Sequence, residues 1–455
     1  MNADTIAAIA TARGEAAIGV IRTSGPRAFD IARELTTLPD TIRSQHSYVR
    51  VLEHDGERLD EALVLTFCSP NTFTGEDIVE YHCHGGPVTL ERVLRAVLER
   101  GARTAEAGEF SRRAMLNGKL DLLQVEAIAD IIHAESEGAH RLAQSHLEGS
   151  LSRSVDELKS QLAETITLVE AAIDFSLEEH VYSISGDEII EQLEPVRDQL
   201  SELLATYRSG RLQYEGVRVA IVGKPNAGKS TLLNRLLRED RAIVTEIAGT
   251  TRDYLEESCR IEGIHFRLID TAGIRETSDT VERAGVERAE KLAKDADVIV
   301  VVADSTEDTP FSGLSSVEWN APTGVLWNKA DLGDDGASTG SLPEGLENAN
   351  EIHVSLLEDR SIAAVEGLLV KLAEQAGYES SSSASALLTR ERHYEVLTDA
   401  LEALDRGLSA AEAQMPHEFI ASDLRLSLDA LGSLTGSITS DDILNRIFGD
   451  FCVGK

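Results

Sequence analysis

The chain is short of thiols, of lysine and of long apolar runs. Its 455 residues hold four cysteines, Cys68, Cys83, Cys259 and Cys452, none in a C-x-x-C pair. That spacing argues against a disulfide framework and a structural zinc site, and fits reduced thiols. No run of 18 apolar residues occurs, so no membrane-spanning helix is expected. The first residues lack a basic stretch followed by an apolar one, so no secretory leader is expected. The expectation is a soluble, cytoplasmic chain with no membrane partner. Lysine occurs nine times against 34 arginines, and the formal charge is −36. Such a field repels polyanions, so no DNA partner is expected and any RNA contact needs a local basic patch. The acidity fits either a plainly solvated surface or a salt-rich cytoplasm whose ions screen self-repulsion. The length allows two or three domains with ample core.

The most informative stretch is Val217–Thr231. An apolar run from Val217 to Val222 leads into Gly223-Lys224-Pro225-Asn226-Ala227-Gly228-Lys229-Ser230. This is G-x-x-x-x-G-K-S between a strand and a helix, the context of a phosphate-binding loop. Gly223 and Gly228 let backbone N–H groups converge on an anion. Lys229 reaches β- and γ-phosphates, and Ser230 suits Mg²⁺. The helix opened by Thr231 turns its positive end toward the phosphates.

Three more stretches specify guanine. Asp270-Thr271-Ala272-Gly273 follows the strand His265–Ile269, with Asp270 placed for Mg²⁺ and Gly273 for the γ-phosphate. Asn328-Lys329-Ala330-Asp331 is N-K-x-D, in which a carboxylate accepts from the N1–H and 2-amino group that adenine lacks. Gly249-Thr250-Thr251 lies between, with Thr251 as second Mg²⁺ ligand. Ser355-Leu356-Leu357 occupies the place of the last guanine loop but departs from the usual S-A-K. Together these motifs predict a GTPase. Its water handling is unusual, because the position after D-T-A-G, a glutamine in Ras-like switches, is Ile274. Glu276, Asp279 and Glu282 are the nearby acids. Asn226 offers an oxygen for a monovalent cation beside the phosphates.

Taken in order, residues 1–118 read as an α/β unit. Its strands are Thr5–Ala10, Ile18–Arg22, Tyr48–Leu52, Ala62–Phe67 and Ile78–Tyr81. Helices are expected over Arg27–Leu35 and Pro87–Arg100. His82-Cys83-His84 is either a metal cluster or a strand end, and alternation would split it between two faces. Residues 119–215 turn helical. Leu151, Val155, Leu158, Leu162, Ile166, Val169 and Ile173 mark one long amphipathic helix. Another helix is expected over Asp187–Arg208, ended by Ser209-Gly210. Residues 216–378 alternate strands and helices, implying a mostly parallel sheet covered on both faces. Glu379–Ser385 reads as a linker. Residues 379–455 are helical again, so the predicted architecture is an α/β unit, a helical domain and a Ras-like P-loop domain inserted into it.

At this point the residues resemble a family. G-K-P-N-A-G-K-S, I-V-T-E-I-A-G-T-T-R-D, D-T-A-G-I-R-E and V-E-R-x-G-V-E-R-A are similar to the bacterial and mitochondrial tRNA-modification GTPase MnmE (TrmE) family. So are Asn71-x-Phe73-Thr74-Gly75-Glu76-Asp77, His84-Gly85-Gly86-Pro87, Gly108-Glu109-Phe110-Ser111, Asn117-x-Lys119-Leu120-Asp121-Leu122 and Ala127-Ile128-Ala129-Asp130. The tail Phe451-Cys452-Val453-Gly454-Lys455 differs from the family's usual F-C-I-G-K only at Val453. The resemblance spans the whole chain.

It implies an N-terminal folate-binding and dimerisation domain and a homodimer. The partner is a separate FAD-binding protein, MnmG, in a heterotetramer or larger complex. The implied reaction installs an aminomethyl or carboxymethylaminomethyl group at carbon 5 of the tRNA wobble uridine. The one-carbon donor is 5,10-methylene- or 5-formyl-tetrahydrofolate, and GTP hydrolysis depends on K⁺. By motif, Asn226, Thr245, Ile247 and Thr250 resemble the K⁺ site, and Ser230 and Thr251 the Mg²⁺ ligands. Glu282 resembles the water-orienting glutamate. Arg22, Glu80, Lys119 and Lys455 resemble the folate residues. The nucleotide set comprises Asn226, Ala227, Gly228, Lys229, Ser230, Thr231, the loop Thr245, Glu246, Ile247, Ala248, Gly249, Thr250 and Thr251, then Asp270–Gly273, Asn328, Lys329, Asp331 and Ser355. Cys452 is either a catalytic thiol or a packed tail residue. Packing is favoured, because no neighbouring feature explains a lowered pKa. The competing reading is a GTPase switch in ribosome assembly. Such proteins usually carry basic RNA-binding appendages, and this chain has no basic run.

Overall fold

A computed structural model of the chain describes residues 4–454, apart from 13, 175–183, 240–256, 270–281, 315–316, 333–341, 380–385, 438–443, 445–446, 450 and 452. The side chains of 238–239 and 282–288 also lie outside the description. Two compact units emerge. One comprises 1–132, 146–186 and 406–455, the other 133–145 and 187–405.

The first unit is built on a six-stranded sheet. Its strands are β1 (Thr5–Ile9), β2 (Ala16–Ser24), β3 (His46–His54), β4 (Glu57–Phe67), β5 (Ile78–Gly85) and β6 (Ala102–Thr104). They lie in the order β3-β4-β5-β2-β1-β6, antiparallel except for the β1–β6 pair. β3 and β4 are longer than the sequence reading, because they close as a hairpin through Asp55-Gly56, both at positive φ. Asp-Gly is the residue pair such two-residue turns favour. One sheet face is covered by α1 (Ala28–Leu35) and α2 (Pro87–Glu99). Ile21, Ile31, Leu52, Val64, Tyr81 and Val93 form the core there. Alternation sends Ile18, Val49, Leu63 and the pair Arg22–Glu80 to the other face. Ile18, Val49 and Leu63 are exposed on it. Helices α3 (Glu109–Leu116), α4 (Leu122–His133), α6 (Ser150–Asp174) and α13 (His417–Thr435) complete the unit. The seven apolar positions singled out in the sequence fall within α6, and all but Ile173 are buried. Arg425 joins α13 to Glu170 of α6 at 2.6 Å.

The second unit is a doubly covered sheet. β7 (Val217–Val222), β8 (Glu257–Ile261), β9 (Ile264–Leu268), β10 (Val298–Asp304), β11 (Thr323–Asn328) and β12 (Asn350–His353) run in the order β12-β11-β10-β7-β9-β8. Every pair is parallel except the β8–β9 hairpin. All seven residues of β10 are buried, as a central strand covered on both faces requires. Its helices include α7 (Gly186–Ala205), α8 (Tyr207–Glu215), α9 (Lys229–Glu239), α10 (Glu282–Asp295) and α11 (Arg360–Gln375). α5 (Glu137–Leu147) and α12 (Glu391–Glu412) are shared by sequence between the two units.

One helix end is corrected. The sequence placed it at Ser209-Gly210, but the helix breaks at Thr206 and α8 continues to Glu215. Gly210 serves a close approach and not a stop. A Cβ there would sit 2.2 Å from the Leu388 carbonyl oxygen. The stop is Gly216, at φ +86°. Among the described residues no helix is long and apolar enough to cross a membrane.

Candidate functional site

The phosphate loop leaves β7 at the carboxyl ends of the parallel strands, where open α/β sheets place ligands. Gly223 has φ +145°, and a Cβ on it would lie 2.3 Å from the Val302 carbonyl oxygen. Gly228 has φ +115°, and a Cβ there would meet the Asn328 side-chain nitrogen at 2.2 Å. Both positions demand glycine, which is why the motif has this spacing. Asn226 is also left-handed, at φ +61°. Asparagine tolerates that region better than most residues. Lys229 opens α9, and its Nζ donates to the carbonyls of Gly223 (2.8 Å) and Lys224 (2.6 Å). Burial pushes its pKa down. Ser230 and Thr231 follow in the first turn of α9.

The guanine loops meet this loop directly. Asn328 ends β11 and is buried. Its Nδ2 donates to the Ala227 carbonyl at 2.8 Å, and its Oδ1 accepts from the Leu356 N–H at 3.1 Å. One carboxamide therefore fixes three loops. Lys329 has φ +62°, and its ammonium bonds Asp304. Asp331 is exposed. Ser355 is buried. The departure from S-A-K has a packing reason. Leu356 joins the core, while Leu357 is 78% exposed.

The structure thus brings together Asn226–Thr231, Asn328, Lys329, Asp331 and Ser355. Thr245, Glu246, Ile247, Ala248, Gly249, Thr250, Thr251 and Asp270–Gly273 lie outside the described residues, as do Glu276 and Asp279. Glu282 is the first residue of α10, but its side chain is outside the description.

A second polar cluster lies on the open face of the first unit. Arg22 Nε donates to Glu80 Oε1 at 2.8 Å, and His82 Nε2 lies 3.1 Å from Glu80 Oε2. The Arg22 guanidinium stands 5.9 Å from the Phe73 ring centre and 5.7 Å from that of Phe110. Asn117 Nδ2 donates to the Thr74 carbonyl at 2.6 Å, which draws the loop holding Phe73 toward Lys119. A Cβ on Gly75 would lie 3.4 Å from Lys119 Cε. The tail reaches the same unit. Phe451 is buried, Val453 bridges Ala107, and a Cβ on Gly454 would lie 2.5 Å from the Ile9 carbonyl oxygen. Lys455 and Cys452 lie outside the described residues. Alternation splits His82-Cys83-His84: His84 Nδ1 lies 2.7 Å from Asp60 Oδ1, and Cys83 is buried on the helix-covered face with its thiol pushed up to about 12 by burial.

Sequence reasoning missed one group. Arg113 is 3% exposed and bonds Glu109 (3.0 Å), Glu76 (3.1 Å) and Asp4 (2.9 Å). The i,i+4 spacing of Glu109 and Arg113 on a short helix was the available signal.

A family model described as MnmE helical domain matches residues 122–452, and one described as GTP-binding protein TrmE N-terminus matches residues 5–119. Curated relatives bear the name tRNA modification GTPase MnmE. The protein from Alkaliphilus metalliredigens is 40% identical over 461 residues, covering 99% of both chains. That from Pseudomonas aeruginosa is 44% identical over 460 residues, again 99% of each. That from Salinibacter ruber is 41% identical over 467 residues, covering 100% of each.

Proposed function

The chain belongs to the tRNA modification GTPase MnmE family, and on that premise we propose that it is a K⁺-dependent GTPase that acts with the FAD protein MnmG on tRNA. The pair installs an aminomethyl or carboxymethylaminomethyl group at carbon 5 of the wobble uridine, drawing the carbon from a tetrahydrofolate. The observation that carries the GTPase reading is Asn328, which ties the guanine loops to the phosphate loop. Lys229 and the N–H groups around Gly228 hold the phosphates, and Asp331 reads the base. Ser230, in the first turn of α9, has the hydroxyl that suits Mg²⁺, and Asn226 the carboxamide oxygen that suits K⁺. Held by these residues, the two ions would supply positive charge to the breaking β,γ-bridge. In the first unit, Glu80, which accepts from Arg22, would accept from an N–H-rich ring such as a pterin, and Phe73 and Phe110 give Arg22 an apolar setting. A second copy of the chain would cover the open sheet face carrying Ile18, Val49 and Leu63.

Mass analysis of wobble nucleosides in a deletion strain tests the whole reading. Loss of the carbon-5 group is expected. Unchanged nucleosides with arrested ribosomal subunits would favour the assembly-switch alternative.

Hydrolysis is expected to need K⁺ and not Na⁺, because Na⁺ is too small for a cage built on Asn226 and loop carbonyls. Asn226→Ala should lose the K⁺ stimulation while GTP still binds. Equal rates in the two salts would refute the cation site.

Removing Phe451–Lys455 is expected to abolish binding of 5-formyltetrahydrofolate and leave GTP binding intact. The tail packs beside Ala107 and Ile9, in the unit that holds Arg22 and Glu80, and the nucleotide loops belong to the other unit. Calorimetry on the truncated chain decides; full-strength folate binding would sink the assignment.

A further inference from the structure

We propose that Asp304 is a positioning residue for the guanine-reading loop, and that residues 304–309 brace this loop to the phosphate loop. The inference rests on the GTPase reading above. Asp304 is the last residue of β10 and stands in register with Asn328. Its side chain is only 6% exposed. A buried carboxylate must be fully bonded, and this one is. Oδ2 takes the Lys329 ammonium, and Oδ1 accepts from Thr306 N–H (3.0 Å) and Thr306 Oγ1 (2.7 Å). Burial raises its pKa, and the bonds from Lys329 and Thr306 more than reverse this, holding it below the ordinary aspartate value.

Lys329 is the residue that needs such a tether. A lysine at φ +62° is in a region that side chains with a Cβ disfavour. It persists there only when its surroundings over-determine it. The backbone on both sides is pinned: Leu332 N–H bonds the Lys329 carbonyl at 2.9 Å, Ala330 N–H the Val354 carbonyl at 3.2 Å, and Ser305 N–H the Asn328 carbonyl at 3.0 Å. The remaining freedom is the four-carbon side chain, and Asp304 removes it before a nucleotide arrives. Preorganisation of that kind raises affinity without a new contact to the ligand.

The same short segment grips the phosphate loop. Glu307 Oε2 takes Lys224 Nζ at 2.6 Å, and the Thr309 carbonyl takes it at 3.0 Å. Glu307 is itself held to Asp304 through its N–H, 3.2 Å from the Asp304 carbonyl. The Lys224 carbonyl in turn accepts from Lys229. One strand end therefore holds a lysine from each nucleotide loop.

A double-mutant cycle on the full chain tests the proposal. GTP affinity is measured for wild type, Asp304→Asn, Lys329→Met and the double variant. Asp304→Asn keeps the shape and loses the charge, and is expected to weaken GTP about tenfold, the scale of one charge-assisted hydrogen bond. In the Lys329→Met background it should cost nothing further, since it acts only through Lys329. In an Asp331→Asn background it should weaken xanthosine triphosphate by the same factor, because the base edge is not what it serves. Additive losses, or unchanged GTP affinity in Asp304→Asn, would overturn the proposal. If Asp304→Asn does not fold, Thr306→Val should give the same non-additive pattern at about two- to threefold, a neutral hydrogen bond being weaker. Wild-type protein that fails to bind GTP would instead overturn the GTPase reading.

Discussion

Glu282→Ala is expected to bind GTP with the parent affinity and to hydrolyse it about 10²–10⁴-fold more slowly, the usual cost of losing one positioned acid–base group. In Ras-like switches the residue after D-T-A-G orients the attacking water, and isoleucine can neither donate nor accept. A carboxylate must come from elsewhere in the segment, and Glu282 stands at the first position of α10. Affinity should hold because the groups that grip the nucleotide lie on other elements. Lys229 opens α9, Asn328 ends β11, and Asp331 follows it. Glu276→Ala and Asp279→Ala are the controls and should lose much less. Single-turnover hydrolysis in saturating K⁺ separates the cases. A wild-type rate in Glu282→Ala would move the assignment to one of the control acids.

Motifs that act through their own backbone were legible in the sequence. Gly223 and Gly228 are glycine because of what their Cβ atoms would strike, and the spacing between them carries that information locally. The long helix α6 was legible for a similar reason, since its buried stripe repeats at helical period. Contacts made through register were not legible. Asp304 reads as the end of an apolar run, and only the β10–β11 pairing brings it to Lys329. Gly210 was misread because a close approach and a turn both call for glycine, and the sequence does not say which. Leu356 looked like a broken motif. Its backbone N–H still serves Asn328, while its side chain has joined the core. Thr245 to Thr251 and Asp270 to Gly273 fall outside the described residues.

The largest expected effect on stability is at Arg113. Arg113→Ala should cost the first unit about 3–5 kcal/mol, the scale of breaking a buried ion pair from one side. Its guanidinium serves Glu109, Glu76 and Asp4, and removal leaves the buried Glu109 carboxylate with Arg103 as its remaining cation among the described residues. Burial raises the Glu109 pKa, but Arg103, the Glu106 N–H and Arg113 outweigh it and hold the value below that of an ordinary glutamate. The sign follows. A carboxyl with a lowered folded pKa contributes stability above its unfolded value, about pH 4.3. That contribution is lost as the pH falls through the folded value. The gap between wild type and Arg113→Ala should therefore be full at pH 7 and narrow below about pH 4.3. Hydrogen exchange of the β1 and β2 amides reads this unit separately from the other. Equal protection at pH 7, or a gap that does not change with pH, would show that the network contributes little. The consequence for function runs through Glu76. Ser24 Oγ, at the end of β2, donates to its Oε2 at 2.7 Å, and Arg113 holds both of its oxygens at 3.1 Å. The loop that carries Phe73 to Arg22 is anchored by that carboxylate. Loosening it in Arg113→Ala should weaken 5-formyltetrahydrofolate binding at pH 7 in a protein that still binds GTP, since the nucleotide loops belong to the other unit.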